Sequence, residues 1–302
     1  MRILVFGAGA MGSYFGGLLS VRQDVVLIGR KAHMDAVRTH GLRIAGKTVR
    51  LLRPRAATRI PDSANPDLIL VSTKSYDTGA AMERLKRFAD TALFLTLQNG
   101  LDNPDLIGRT ARRVVAGTTA HGVTFLGPGE IRHAGVGDTT IGAWRGVDET
   151  DLVRVRDVFE EAGIHTRISR DVRSDLWSKL VVNASINPLA ALAGVPNGTL
   201  VQDPILGQLL VEVCRETTVV AKADGARVEE QDLVRRTRLV ARRTAANRAS
   251  MLQDLDSARR TEIDAITGAV LRAAQRRGIE APLNRALFAL VQAREQSHCE
   301  RT

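Results

Sequence analysis

The chain opens with a strand, a glycine turn and a helix, and this order constrains its fold more than any other feature. The apolar run Arg2–Phe6 predicts the strand, and Gly7-Ala8-Gly9-Ala10-Met11-Gly12 follows it directly. Residues 13–20 can continue as a helix, and a second apolar strand, Asp24–Ile28, comes next. This spacing is typical of a βαβ unit and predicts an α/β domain of the Rossmann type.

The three glycines of the turn have separate roles in a dinucleotide site. Gly7 permits a tight turn, Gly9 lets backbone amides approach a pyrophosphate, and Gly12 lets the helix pack against the strand. The pyrophosphate would lie at the helix N-terminus, where free N–H groups and the helix dipole favour negative charge. Glycine turns also occur in purely structural roles, but the βαβ context favours the dinucleotide site.

The end of the second strand indicates which dinucleotide binds. An NAD-specific site would place Asp or Glu there to bind the ribose hydroxyls, whereas this chain has Gly29-Arg30-Lys31. Arg30 can donate two charge-assisted hydrogen bonds to a 2′-phosphate, so we expect NADP rather than NAD. The alternative is that Arg30 is a solvated loop residue in an arginine-rich chain.

Two later apolar runs, residues 67–74 and 92–100, predict buried strands that end in polar residues. Ligands bind outside the carboxyl ends of strands in doubly wound sheets, so Lys74 and Asn99 are expected beside the cofactor or the substrate. Further strands are predicted at residues 114–119, 139–142 and 164–168, and a helix at 151–162. The first domain is therefore expected to cover residues 1–170.

From residue 171 the strand patterns disappear, and helical periodicity predicts an all-α second domain over residues 171–302. Lys179, Asn183 and Asn187 recur at every fourth residue, which makes one polar stripe roughly 12 Å long. The stripe interrupts an otherwise apolar helix, and Pro188 predicts a bend at its end. Either the stripe is an exposed helix face or it is a functional site; the residues alone leave both open.

A second helical segment, around residues 232–275, contributes Ser250, Asp254 and Glu262. Ser250 and Asp254 are one turn apart, but Glu262 lies roughly 120° around an ideal helix from Ser250. The three side chains share a site only if the segment bends or the ligand spans its face.

Composition excludes several classes of function. The net charge is +10, and only six of the 43 basic residues are lysine. The arginines are scattered without a dense basic run, so we expect a field that suits small anions rather than nucleic-acid binding. The six histidines and the cysteines, Cys214 and Cys299, show no metal-ligand spacing, so no metal is expected.

The N-terminal apolar stretch is interrupted by five glycines before Leu18, which argues against a signal peptide. No apolar run reaches the roughly 18 residues that a membrane span requires. A cytoplasmic protein is expected.

Several blocks of sequence resemble the ketopantoate reductase (2-dehydropantoate 2-reductase) family. They extend over nearly the whole chain and comprise residues 7–12, 73–74, 98–100, 117–121, 176–183, 186–189, 196–198, 250–254 and 260–264. The last two blocks are far more specific than the glycine turn. One departure is Gln98, where some members of the family have histidine. The resemblance implies a Rossmann domain followed by an all-helical domain.

The resemblance also implies roles for individual residues. Lys179 corresponds to the family's catalytic lysine and Glu262 to its partner carboxylate, close to both the lysine and the cofactor. The implied ligand-binding residues are Asn99, Asn183, Asn187, Asn197 and Ser250. The implied cofactor contacts are Arg30, Lys74, Asn99 and the backbone near Val123, in addition to residues 7–12.

The expected activity is therefore the NADPH-dependent reduction of ketopantoate to (R)-pantoate in pantothenate and coenzyme A biosynthesis. Lys179 would donate a proton or hydrogen bond to the ketone oxygen, because burial can lower the pKa of an ammonium toward neutrality. Two alternatives remain: a reductase of the same fold that acts on another 2-oxo acid, and a non-catalytic NADP-binding sensor. A monomer or a homodimer, with no nucleic-acid or membrane partner, is expected.

Overall fold

A computed structural model describes residues 1–299 and divides the chain into two units. The first comprises residues 1–98 and 103–172, and the second comprises residues 99–102 and the chain from residue 173 onward. The last position of the predicted second domain, residue 302, lies outside the described residues.

The first unit contains two β-sheets within the part of the chain that the structure describes. Its strands are β1 (Arg2–Phe6), β2 (Asp24–Ile28), β3 (Leu42–Gly46), β4 (Arg50–Leu52), β5 (Arg55–Ala57), β6 (Leu68–Val71), β7 (Leu93–Thr96), β8 (Val114–Thr119), β9 (Gly122–Gly127), β10 (Glu130–Gly135), β11 (Thr139–Arg145) and β12 (Thr166–Ile168). The larger sheet has the order β12-β11-β8-β7-β6-β1-β2-β5. Six neighbouring strands run parallel to one another, in the order β8-β7-β6-β1-β2-β5. By contrast, β11 pairs antiparallel with β8.

Helices cover both faces of the larger sheet. They are α1 (Ala10–Leu19), α2 (Lys31–His40), α3 (Thr78–Leu85), α4 (Asn103–Gly108) and α5 (Glu149–Glu161). Alternate residues of β1 point to opposite faces, so Val5 packs with Phe15 and Phe159 on one side. On the other side, Phe6 packs with Met82 of α3. The predicted Rossmann-type α/β architecture is confirmed.

The second sheet of this unit was not predicted. Its order is β4-β3-β10-β9, and residues such as Ile44 and Ile131 bury their side chains in the core that also contains α1. The strands are short, and β3 and β10 pair across about half of the unit's sequence. Local periodicity therefore gave little indication of the pairing, because register between distant strands is a tertiary property.

The second unit is helical, as predicted. Its helices are α6 (Val172–Ala193), α7 (Thr199–Gln202), α8 (Pro204–Ala223), α9 (Glu230–Arg243), α10 (Ser250–Asp256), α11 (Thr267–Arg277) and α12 (Pro282–Cys299). Trp177 and Val181 of α6 are fully buried in its core, together with Val213 of α8 and Val270 of α11. None of the helices within residues 1–299 is both long and apolar enough to cross a membrane.

Helix α6 runs through Pro188, where the sequence predicted a bend. The α6 helix continues through Pro188 and ends before Gly194, whose φ is +69°. A proline lacks the amide that would bond one turn back, yet α6 continues past it, with Ile186, Leu189 and Ala190 buried on either side.

The prediction of one helical segment over residues 232–275 is wrong. It contains α9, α10 and α11, with breaks between them, and Glu262 lies in the second break rather than on a helix. The angular separation on an ideal helix therefore does not apply to Glu262.

Candidate active site

The glycine turn of the first unit lies between β1 and α1. Gly7 has φ +104°, and a Cβ placed on it would lie 2.5 Å from the backbone nitrogen of Thr73. A Cβ on Gly12 would collide with the carbonyl oxygen of Gly7 and the hydroxyl of Ser72. A Cβ on Gly9 would meet no heavy atom within 4 Å. Gly7 and Gly12 therefore keep the turn tight, while Gly9 leaves open space at the start of α1.

This open space fits a pyrophosphate. The first amides of a helix have no intrahelical acceptor, and no side chain caps α1 at Gly9. The first turn of α1 contains no acidic residue. Free N–H groups at the positive end of the helix dipole are the groups that bind phosphate oxygens.

The residues after β2 fit the 2′-phosphate of NADP. Arg30 is exposed at the N-cap of α2, while the ammonium of its neighbour Lys31 donates to Asp35 over 2.6 Å. The amide of Gly29 donates to the carbonyl of Ala57 over 3.2 Å, which holds this turn against the end of β5. Lys31 therefore pairs with a residue of its own helix, whereas the guanidinium of Arg30 forms no ion pair with any residue of α2 (Lys31–His40).

Gln98, for which the sequence predicted no role, holds the residues that follow β6 in place. Gln98 donates from Nε2 to the carbonyl oxygen of Thr73 over 2.8 Å and to the hydroxyl of Thr78 over 2.9 Å. These bonds hold the residue before Lys74 in place, and Lys74 itself is half-buried at the N-cap of a short 3-10 helix. Gln98 therefore has a structural role at this strand end. The residue type alone did not indicate that role.

Val123 lies on β9 of the smaller sheet, where it is half-buried and packs against the core of the first unit.

In the second unit, Lys179 is half-buried on α6 among apolar neighbours. Burial lowers the pKa of Lys179 to about 8, and the negative charge of Glu262 opposes that lowering. An ammonium with such a pKa is charged at neutral pH and can still give up its proton, which is what a general acid requires.

Two side-chain hydrogen bonds connect Glu262, through Asn99, to Asn183. Asn99 donates from Nδ2 to Oε2 of Glu262 over 3.0 Å, and its own Oδ1 accepts from Nδ2 of Asn183 over 3.4 Å. Asn183 lies one turn after Lys179 on α6. The structure thus brings together Lys179, Glu262, Asn99 and Asn183, which come from three separate parts of the sequence.

The other sequence-predicted residues occupy further positions of the helical unit. Asn187 is buried on α6, and Asn197 donates from Nδ2 to the hydroxyl of Thr244 over 2.9 Å. Ser250 is exposed at the first position of α10, and Asp254 is buried and pairs with Arg259 at 3.2 Å. Among the described residues, no hydrogen bond joins Asn187, Asn197 or Ser250 to Lys179 or Glu262.

One further residue, Arg272, contacts the segment that carries Asn99. Arg272 on α11 donates from Nη2 to Oδ2 of Asp102 over 2.5 Å and to the carbonyl oxygen of Asp264 over 3.0 Å. Sequence reasoning missed both Asp102 and Arg272, because their pairing crosses 170 positions.

In the described part of the chain, no group of three or more His, Cys, Asp or Glu side chains is arranged to hold a metal ion.

Known proteins resemble this chain over nearly its whole length. The family model described as "Ketopantoate reductase PanE/ApbA" matches residues 3–146, and "Ketopantoate reductase PanE/ApbA C terminal" matches residues 171–295. A 2-dehydropantoate 2-reductase of Halobacterium salinarum is 41% identical over 297 residues, covering 96% of this chain and 98% of its own length.

Solved structures share the whole fold. A PanE/ApbA family ketopantoate reductase from Ralstonia eutropha JMP134 superposes with a TM-score of 0.90 at 32% identity, covering 99% of both chains. A D-mandelate dehydrogenase solved with NADH and anilino(oxo)acetate has a TM-score of 0.93 at 24% identity, also covering 99% of both chains. At that identity the second likeness concerns the fold alone.

Proposed function

The chain belongs to the ketopantoate reductase family, and from that premise we infer that it reduces 2-dehydropantoate to (R)-pantoate with NADPH, in pantothenate and coenzyme A biosynthesis. We assign NADP binding to residues 1–170 and substrate binding with catalysis to residues 171–302. The observation that carries the proposal is the half-buried ammonium of Lys179, whose pKa burial lowers to about 8 against the opposing charge of Glu262, a carboxylate that accepts a hydrogen bond from Asn99.

The cofactor residues are those of the glycine turn and of the strand ends around it. The turn of residues 7–12 binds the pyrophosphate through the amides at the start of α1, because the amides of Gly7, Ala8 and Gly9 already donate to backbone carbonyls. Arg30 binds the 2′-phosphate, and the remainder of the cofactor is contacted by Lys74, Asn99, Glu262 and the backbone at Val123. When bound, NADPH supplies the hydride that reduces the ketone at C2.

Lys179 acts on the ketone oxygen. It donates a hydrogen bond to the ground-state carbonyl and a proton as negative charge develops on that oxygen. A lysine is suited to this because its ammonium is a compact charge whose pKa responds strongly to burial. The charge of Glu262 raises that pKa and so opposes the effect of burial.

The asparagines and the serine position the substrate. Asn183, Asn187, Asn197 and Ser250 offer neutral donors and acceptors, which suit the carboxylate and the hydroxyl of ketopantoate without adding charge beside Lys179. Asn99 contacts both the substrate and Glu262. Their contribution is orientation, since a misplaced ketone loses alignment with the reductant.

The wider setting follows from the same activity. The net charge of +10 suits an anionic substrate and an anionic cofactor. We propose a cytoplasmic monomer or homodimer that has no nucleic-acid or membrane partner.

The decisive experiment follows NADPH absorbance with and without ketopantoate, then over a small panel of 2-oxo acids that includes one with an aromatic substituent. We expect the highest kcat/KM with ketopantoate. A higher value for another member would assign the chain to that substrate. NADPH binding without oxidation of the cofactor across the panel would identify a sensor.

A further inference from the structure

The segment 99–102 reaches the catalytic network through its backbone as well as through Asn99. Gly100 has φ +94°, and a Cβ on it would collide with the carbonyl oxygen of Ala265. The backbone at Gly100 therefore lies directly against the loop that carries Glu262. Such close contact leaves no room for the segment to shift without moving that loop.

A single guanidinium nitrogen holds the same two pieces of chain together. Nη2 of Arg272 donates to Oδ2 of Asp102 over 2.5 Å and to the carbonyl oxygen of Asp264 over 3.0 Å. Asp102 lies three residues after Asn99, and Asp264 lies two residues after Glu262. Arg272 therefore bonds to one residue close in sequence to Asn99 and to another close in sequence to Glu262. Asn99 and Glu262 are themselves joined by a hydrogen bond.

We propose that Arg272 is a positioning residue for the catalytic site, which holds the segment 99–102 against the loop of residues 262–264 and so keeps Asn99 bonded to Glu262. This proposal rests on the proposed function, since it assigns Arg272 to the same site. Arg272 contacts neither substrate nor cofactor in this role; it acts through Asn99 and Glu262.

Exposure separates positioning from stability. The side chains of Arg272 and Asp102 keep 46% and 43% of their accessible surface. An ion pair this exposed contributes little to the stability of the fold. Removal of the pair should therefore change the place of Glu262 more than it changes the melting temperature.

The sign of the pH response separates positioning from a direct electrostatic effect. Glu262 raises the pKa of Lys179, so a displaced Glu262 lowers that pKa and moves the basic limb of the kcat/KM profile to lower pH. Direct removal of the positive charge of Arg272 would instead favour the ammonium and move the limb to higher pH.

The test compares Arg272→Gln with Arg272→Lys and with the control Arg276→Gln. Arg276 lies one turn further along α11 and pairs with Asp224 at 3.8 Å. We expect Arg272→Gln to lower kcat by roughly 10- to 100-fold and to move the basic limb to lower pH, with little change in melting temperature. Arg272→Lys should recover most of the activity, because one ammonium can donate to both acceptors.

A readout without substrate keeps the two proposals apart. Trace acetylation of Lys179 at a series of pH values, quantified by peptide mass spectrometry, reports its pKa in the free protein. A wild-type chain that does not oxidise NADPH overturns the proposed function, whereas a lowered Lys179 pKa in Arg272→Gln still supports positioning. Positioning is overturned by a Lys179 pKa equal to that of Arg276→Gln, by a shift to higher pH, or by lost activity with an unmoved profile.

Discussion

Asn99 and Glu262 are 163 positions apart in the sequence, yet the side-chain amide of Asn99 donates to Oε2 of Glu262 over 3.0 Å. A neutral donor fixes the carboxylate without cancelling its charge. That charge acts on Lys179, where it opposes the lowering of the pKa by burial. The balance between burial and Glu262 therefore sets the pH at which Lys179 loses its proton.

The pH dependence of catalysis follows from this balance. The lysine is active when protonated, so kcat/KM should fall as pH rises through about 8, the pKa of Lys179. Glu262→Gln keeps the shape of the side chain and removes its charge, so the pKa of Lys179 falls and the basic limb moves to lower pH. Profiles of kcat/KM over about pH 6 to 10 measure both values. An unmoved limb in Glu262→Gln would separate Glu262 from the titration of Lys179.

Replacement of the ammonium itself should remove turnover. We expect Lys179→Met to lower kcat by about 10²- to 10⁴-fold, the range typical of a lost general acid. NADPH affinity, measured by fluorescence titration, should change little, because the residues proposed to bind the phosphates belong to the first unit. The control is Lys222→Met, whose ammonium pairs with Glu229 at 2.9 Å on the surface of the same unit. Equal turnover in the two variants would exclude Lys179 from the chemistry.

The sequence predicted the elements whose signals are local. Strand β1, the glycine turn and β2 lie within thirty residues, and each residue type has a mechanical reason to be where it is. The stripe of Lys179 and Asn183 was likewise visible, because both lie on one helix whose period is known. The sequence alone therefore singled out Lys179 and Arg30.

The remainder depended on contacts between distant parts of the chain. Residues 257–266 break the predicted helix and carry Glu262, but the composition of this stretch does not show where the loop turns. Ala258 has φ +48° there, a conformation for which a glycine would have been the usual signal. The pairing of Arg272 with Asp102 and the strand pairing of the smaller sheet also depend on contacts between residues that are distant in sequence.

Cofactor preference should depend on Arg30. We expect Arg30→Gln to weaken NADPH binding by about 10- to 100-fold, the equivalent of one or two charge-assisted hydrogen bonds, and to leave NADH binding nearly unchanged. The matched control is Lys31→Gln, because Asp35 already engages that ammonium. The measurement is the ratio of kcat/KM for NADPH over NADH. If the ratio is the same in both variants, Arg30 is only a surface residue.

Gly9 allows a test of the pyrophosphate site that does not disturb the fold. Its φ of −84° is accessible to alanine, and a Cβ there meets no protein atom within 4 Å. Gly9→Ala should therefore fold normally and weaken NADPH binding by about tenfold or more, since the methyl group would occupy the space next to the α1 amides.

The control for Gly9 is Gly79→Ala on α3, where a Cβ also meets nothing within 4 Å. Gly79→Ala should keep or exceed the wild-type melting temperature, because alanine is favoured over glycine inside a helix. Gly9→Ala lies at the N-cap of α1, where alanine is a weaker cap than glycine, so it should lower the melting temperature only slightly. Isothermal titration with NADPH should distinguish them. Equal NADPH affinity in the two variants would place the pyrophosphate away from Gly9.

Acid stability should depend on a pair of histidines between α1 and the smaller sheet. Nδ1 of His121 lies 3.1 Å from Nε2 of His133 and 3.4 Å from the hydroxyl of Tyr14. Burial, with a smaller contribution from His133, lowers the pKa of His121 to about 4, and Asp138 opposes this. His121 is therefore neutral in the folded protein at pH 7.

The folded pKa of His121 is below the value of about 6.5 expected for the unfolded chain, so the unfolded state binds more protons between these values. The stability that depends on neutral His121 is complete above pH 6.5 and is lost as pH falls toward 4. Urea unfolding should show a loss of about 1–2 kcal/mol between pH 7 and 5 that is reduced in His121→Phe. His165→Gln removes an exposed histidine that pairs with Glu160, and it should keep the wild-type loss. If His121→Phe loses as much stability as wild type over this range, another group is responsible for the acid sensitivity.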